Sequence, residues 1–388
     1  MRTTRIITLA AIAATFLLVS AGADTREPGR KPATPRIEAV FVLDTTGSMG
    51  GLIAAAKEKI WSIANTLATT RPAPDIKMGL IGYRDRGDAY VTRHLGLTED
   101  LDALYAFLMQ FQADGGGDGP ESVNQALYEA VVKMGWSADE QVYRVVFLVG
   151  DSPPHMDYTD DVKFPESCKL AAERGIIINA IQCGNQSATT PIWGEIAKRA
   201  EGEYFRVEQS GSAIVASTPF DGPLSALSRD LDSTRIYYGS GEELACQKDR
   251  DRTGATLYRK ASVRALAARV AFNACEAGRR NFSGGKELIG DIAAGRVSLA
   301  DVPADEFSGK LKQMSQAERE EYVRKMGERR VQLQKHVLEL SAKRQAYIQD
   351  QIEKAGPHSR DSLDVQLYEC IRTQAVKKDI VYADGPLY

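Results

Sequence analysis

The chain contains no CxxC pair, no HExxH, no G-x-S-x-G and no phosphate-binding glycine loop. The familiar zinc-protease, α/β-hydrolase and nucleotide-hydrolase chemistries are therefore without their residues. Cysteine is scarce and odd in number: Cys168, Cys183, Cys246, Cys275 and Cys370. Their spacing matches no zinc motif, and it leaves open one or two disulfides or free buried thiols. Excess charge is also lacking. A net charge of −3 gives no electrostatic reason to expect nucleic acid as a partner.

Long apolar runs are missing except near the start, at residues 6–19. That run follows Arg2 and Arg5 and precedes Ser20-Ala21-Gly22-Ala23. A positive segment, a short apolar segment and an A-x-A pattern read as a secretory signal peptide cleaved after Ala23. The run is short for a membrane span. The expectation is an exported protein, periplasmic or secreted. Residues 24–35 are rich in proline and charge and read as a linker.

What is present begins at Phe41-Val42-Leu43-Asp44-Thr45-Thr46-Gly47-Ser48-Met49. An apolar run over 37–43 ends in an acid, and hydroxyl residues follow at alternate positions. Asp44, Thr46 and Ser48 thus offer one carboxylate and two hydroxyls from one short loop. Hard oxygen donors of this kind suit Mg²⁺, Mn²⁺ or Ca²⁺ rather than zinc. The same residues would also serve as a turn and helix cap with no ion. Two more segments share the pattern. Gly115-Gly116-Gly117-Asp118-Gly119-Pro120-Glu121-Ser122 is a glycine-rich loop with acids, and Val145–Val149 is an apolar run leading to Gly150-Asp151.

Between and beyond these segments, strand and helix patterns alternate. Strand patterns fall at 37–43, 76–83, 90–95, 143–149, 176–181 and 204–207. Helix patterns fall at 52–67, 101–111, 122–134, 166–174 and 192–200. This alternation predicts a doubly wound, mostly parallel α/β sheet. Asp44 and Asp151 then lie at the carboxyl ends of their strands, where such sheets bind ligands.

The three segments in this order resemble the von Willebrand factor A family and its metal-ion-dependent adhesion site, over about residues 36–210. The resemblance implies that Asp44, Thr46, Ser48 and Asp151 surround one divalent cation, Mg²⁺ by default. Asp118 is the best positional match for the second-loop ligand, with Glu121 and Ser122 as alternates. The resemblance further implies a binding module in which an acidic side chain of a protein or peptide ligand completes the coordination.

Two other features invite functional readings. Arg86-Gly87-Asp88 looks like an adhesion tripeptide but reads as an ordinary turn between strands. His155, after Pro153-Pro154, is either a ligand-rim residue or a plain surface-loop histidine.

From about 218 to 388 the pattern becomes helical. Residues 263–277 show helical spacing. Over 317–354, Val323, Met326, Leu333, Val337, Leu340 and Tyr347 repeat at three- and four-residue steps, with Arg330 and Arg344 interrupting. Such a segment would run about 60 Å as one helix. It reads as a coiled coil or hairpin, including a homodimer seam, or as a long amphipathic helix packed on its neighbours. Gly356-Pro357 would end it. A metal-independent scaffold is therefore the second functional reading. A metal-assisted hydrolase is the third, weakened because no histidine flanks the Asp44 loop.

Overall fold

A computed structural model describes residues 34–117, 119–209, 216–355, 363–382 and 385–387. The expected signal peptide, most of the expected linker, Asp118 and Gly356-Pro357 lie outside these residues. Six strands form one sheet in the order β3-β2-β1-β4-β5-β6. They are β1 (Arg36–Asp44), β2 (Asp75–Tyr83), β3 (Thr92–Thr98), β4 (Tyr143–Gly150), β5 (Ile176–Cys183) and β6 (Tyr204–Val207). All pairings are parallel except β2 with β3. The α/β expectation holds strand by strand, with β3 beginning two residues and ending three residues later than its pattern.

The pleat explains why the central strands are apolar throughout. Residues alternate between two faces, and both faces are covered. In β1, Ile37, Ala39, Phe41 and Leu43 enter one core, while Val40 and Val42 enter the other. In β4, Val145, Phe147 and Val149 join the first core, and Val146 and Leu148 join the second. The second core is closed by α3 (Val123–Val132), α4 (Phe164–Glu173) and α5 (Thr189–Arg199).

The first core draws on both ends of the chain. It contains α1 (Gly50–Leu67) and α2 (Leu101–Leu108), together with α8 (Val263–Ala274) and α12 (Leu363–Ala375). Gln374 of α12 exchanges hydrogen bonds with Asn179 of β5 at 2.7 and 3.0 Å and accepts one from Tyr143 of β4 at 2.9 Å. Lys59 and Asp364 form a buried ion pair at 3.2 Å. The last helix therefore belongs to the sheet's covering layer, and Thr34–Tyr388 is one compact unit.

The intervening helices are α6 (Asp221–Asp232), α7 (Gly241–Lys260), α8, α9 (Arg279–Ser283), α10 (Leu288–Ala293) and α11 (Gln316–Ala355). Helix α8 is keyed to the α/β layer by Arg269, whose guanidinium grips Asp102 of α2 through two 2.6 Å bonds in a buried pocket. The long helix α11 corrects one expectation. Arg330 and Arg344 do not interrupt its seam; they alternate with Val323 and Val337 in seven-residue steps, and all four are buried. Arg330 binds Glu287 in bidentate fashion at 2.8 Å and the Thr234 carbonyl at 2.7 Å. Arg344 binds Asp221 at 2.7 Å. The seam is used inside the chain. All five cysteines are free thiols. Among the described residues, no helix is long and apolar enough to cross a membrane.

Candidate metal centre

The site forms at the carboxyl ends of β1 and β4, adjacent in the sheet, where Asp44 is the last residue of β1 and Asp151 directly follows β4. Asp44 closes β1 and is fully buried. Its Oδ1 accepts hydrogen bonds from the Thr46 amide at 2.9 Å and the Thr46 hydroxyl at 2.6 Å. The Thr46 hydroxyl also lies 3.4 Å from that of Ser48, which is exposed. The loop then tightens into a 3₁₀ turn (Gly47–Met49) that feeds directly into α1.

The loop is fastened from below. Thr45 donates its amide and its hydroxyl to the Tyr83 carbonyl, at 2.9 and 2.8 Å. Arg84 reaches the Thr45 carbonyl at 3.2 Å and the Gln112 carbonyl at 2.8 Å. The Gly47 amide donates to Gly115 at 3.1 Å, which seats the glycine-rich loop against the first. Gly116 has a φ of 78°, open to glycine at little cost. A side chain there would stand 3.1 Å from both Glu121 Oε1 and Thr46 Cβ, so the missing Cβ lets the two loops meet.

Among the described residues of the second loop, Glu121, one of the two alternates, lies close enough to feel the charge of Asp44. It is buried, and its carboxyl is pushed up to about 9 by burial and then by the negative charges of Asp44, Asp85, Asp88 and Asp151. Asp44 is likewise pushed up to about 7, chiefly by burial. Asp44 Oδ2, Glu121 Oε2 and the Tyr83 hydroxyl are buried without a hydrogen-bond partner. Ser122 points elsewhere: its hydroxyl donates to Asp85 at 3.0 Å.

Asp151 directly follows β4 and is nearly buried. Its Oδ2 accepts from Gln209 Nε2 at 2.7 Å and its Oδ1 from the Ser152 hydroxyl at 3.1 Å. Sequence reasoning missed Gln209. The available signal was its place just past the carboxyl end of β6, on the same sheet edge as the two acids.

His155 departs from expectation. It is buried, neither rim nor surface. Its backbone amide donates to the Glu121 carbonyl at 3.1 Å, which draws the loop inward. The ring stacks on Tyr158 at 4.1 Å and contacts Asp157 at 2.8 Å. The Arg86-Gly87-Asp88 turn is also engaged internally. Arg86 pairs with Asp160 and Asp161, and Asp88 accepts from the Gly116 amide at 3.0 Å. That turn is therefore a fastening for the glycine loop.

Among the described residues, no group of three or more His, Cys, Asp or Glu side chains is placed to hold an ion. An ion here would rest on hydroxyls as much as on carboxylates. The donor chemistry fits a hard divalent cation: two hydroxyls beside two buried, unpartnered carboxylate oxygens whose ionisation burial opposes.

Comparison with known proteins agrees with the fold. Residues 38–189 match the family model of the von Willebrand factor A domain, so this part of the chain is a von Willebrand factor A-like domain. Among curated proteins, the chain is 25% identical over 226 residues to the ariadne-like RING finger protein R811 of Acanthamoeba polyphaga mimivirus, covering 53% of this chain and 22% of that protein. It is 29% identical over 125 residues to the alpha-protein kinase vwkA of Dictyostelium discoideum, covering 32% and 19%. The chain thus spans about a fifth of each relative's length. Solved structures similar to it include the SpRpn10 VWA domain, at 15% identity and TM-score 0.35, covering 45% of this chain and 89% of that one. Proximal thread matrix protein 1 of the mussel byssus, in a form with a zinc-occupied metal-ion-dependent adhesion site, has 17% identity and TM-score 0.36, covering 45% and 42%.

Proposed function

We propose that the protein is an exported, divalent-cation-dependent binding module. The observation that carries this reading is the pair of buried, unpartnered carboxylate oxygens, Asp44 Oδ2 and Glu121 Oε2, beside the Thr46 and Ser48 hydroxyls. Asp44, Glu121, Thr46 and Ser48 would hold the ion directly, with Asp151 acting through water; Asp118, the expected second-loop ligand, lies outside the described residues. Mg²⁺ fits a site with few committed carboxylates; Mn²⁺ and Ca²⁺ fit the same donors. The ion supplies an exposed positive charge that attracts an acidic side chain of a protein or peptide partner.

The chain's own residues do the positioning. Thr46 holds Asp44 in one rotamer, Gln209 holds Asp151, and the exposed Ser48 marks the side from which a partner approaches. The apolar strands beneath exclude water from Asp44. Export rests on the N-terminal Arg-flanked apolar run.

Calorimetric titration of Mg²⁺, Mn²⁺ and Ca²⁺ into chelator-treated protein tests the proposal. One saturable site is expected, abolished in Asp44→Ala and weakened at least about tenfold in Ser48→Ala. Ser48→Ala keeps the fold testable, because the side chain is exposed. Titrations without heat in folded protein would move the weight to a metal-independent scaffold.

A further inference from the structure

The helical region holds an open cleft of about 770 Å³, lined by charged and aromatic side chains, away from the strand ends. It is walled by α6, α7, the 233–237 and 308–310 segments, and Tyr322 of α11. Its size is in the range of sites that take small organic molecules. Its lining includes four cationic side chains, Arg229, Arg235, Arg259 and Lys310, against two acids, Asp232 and Asp251. On a chain of net charge −3, this is a local reversal of sign.

Of the two acids, Asp232 is held through Oδ2 while its Oδ1 is buried without a partner, and Asp251 is exposed. Asp232 Oδ2 accepts from the Tyr258 hydroxyl at 2.6 Å and from Arg269 at 3.0 Å, and pairs with Arg235 at 3.2 Å. Asp251 stands 3.7 Å from Arg235. The outer cations are not committed. Arg229 donates only weakly to the Tyr258 carbonyl at 3.5 Å and lies over its ring; Arg259 bonds the Thr256 hydroxyl. Among the described residues, neither they nor Lys310 has a carboxylate partner. Arg235 is 5% exposed, and its Nε is buried without an acceptor. A buried guanidinium N–H left unpaired is costly unless something accepts from it. Tyr237, Tyr258 and Tyr322 add aromatic surface.

We infer that this cleft binds a small organic phosphate bearing an aromatic ring. The phosphate dianion sits among Arg235, Arg259 and Lys310 through charge-assisted hydrogen bonds, and its ring packs on the tyrosines. The site is independent of the metal centre.

The test uses the full chain in chelator, so that no phosphate–metal contact contributes. The probes are AMP, glucose 6-phosphate, adenosine and inorganic phosphate. AMP is expected to bind saturably, with a Kd below about 1 mM. Glucose 6-phosphate should bind more weakly for want of an aromatic ring. Adenosine and inorganic phosphate, each holding half of the recognised chemistry, should be weaker still. Arg259→Ala/Lys310→Ala, both at exposed positions, should weaken AMP at least about tenfold while leaving cation binding and Tm unchanged. Added salt should weaken AMP binding further. The inference is overturned if AMP shows no saturable binding. It is equally overturned if the double variant binds AMP as the parent does.

Discussion

Asp44 gives the most exacting test of the electrostatics. Burial raises its carboxyl from 3.8 to about 7. The sign follows directly: the folded state holds this proton more tightly than the unfolded chain does. The contribution favours the folded state fully only below about pH 4, and stability is lost as pH rises toward 7. Three pH units at 1.36 kcal/mol each give a loss of about 4 kcal/mol without an ion. For a unit of roughly 350 residues, that is about 5 °C in Tm. Other carboxylates titrate over the same range, so the informative quantity is the difference between parent and Asp44→Asn. The variant keeps an oxygen for Thr46 but cannot ionise. In chelator, thermal melts from pH 4 to 8 should show the parent falling by about 4 kcal/mol relative to Asp44→Asn. Saturating Mg²⁺ should remove most of that relative fall, and titrations near pH 6 in buffers of different ionisation heat should register proton release. Parallel pH curves for the two proteins in chelator would refute the reasoning.

Three further outcomes are expected. Arg330→Ala strands the Glu287 carboxylate in a buried site and should cost about 3–5 kcal/mol, measured by urea denaturation; a change under 1 kcal/mol would contradict the internal use of the α11 seam. Gly150→Ala drives a methyl into the Tyr83 hydroxyl and to 3.0 Å from Asp44 Cβ, so it should weaken cation binding; Tyr83→Phe, which removes an unpartnered buried hydroxyl, should restore much of the loss. Native protein treated with a thiol reagent should label quickly at Cys246 alone, since Cys246 is the exposed cysteine and burial pushes the Cys168, Cys183, Cys275 and Cys370 thiols upward; rapid labelling of Cys183 would show that the sheet core opens.

The parts of this molecule readable from sequence are those whose causes are local. An apolar run capped by an acid, as in Phe41–Asp44, carries its strand and its candidate ligand together. Alternation of strand and helix patterns then implies the sheet. What stayed hidden depends on residues far apart in the chain. Glu121 comes near Asp44 only because Gly116 lacks a side chain and the Gly47 amide pins the glycine loop. Gln209 reaches Asp151 from a strand two places away in the sheet. His155 is buried by Tyr158 and the Glu121 carbonyl, contacts that loop composition does not report. Arg330 and Arg344 looked like breaks because a lone arginine in an apolar stripe reads as exposed. Their partners, Glu287 and Asp221, lie 43 and 123 positions away.

The bond between Gln374 and Asn179 has a consequence for how the molecule comes into being. The sheet's strands are all made by residue 207, yet one of its covers arrives about 155 residues later, after the helical segment has been synthesised. A chain released from the ribosome in order would carry Phe41, Phe147 and Ile181 beneath an incomplete layer until the C-terminus emerged. The final helix thus acts as the closing step of assembly. A shortened protein ending after β6 would keep every strand and every residue proposed to hold the ion, but would present an open apolar face and be prone to self-association.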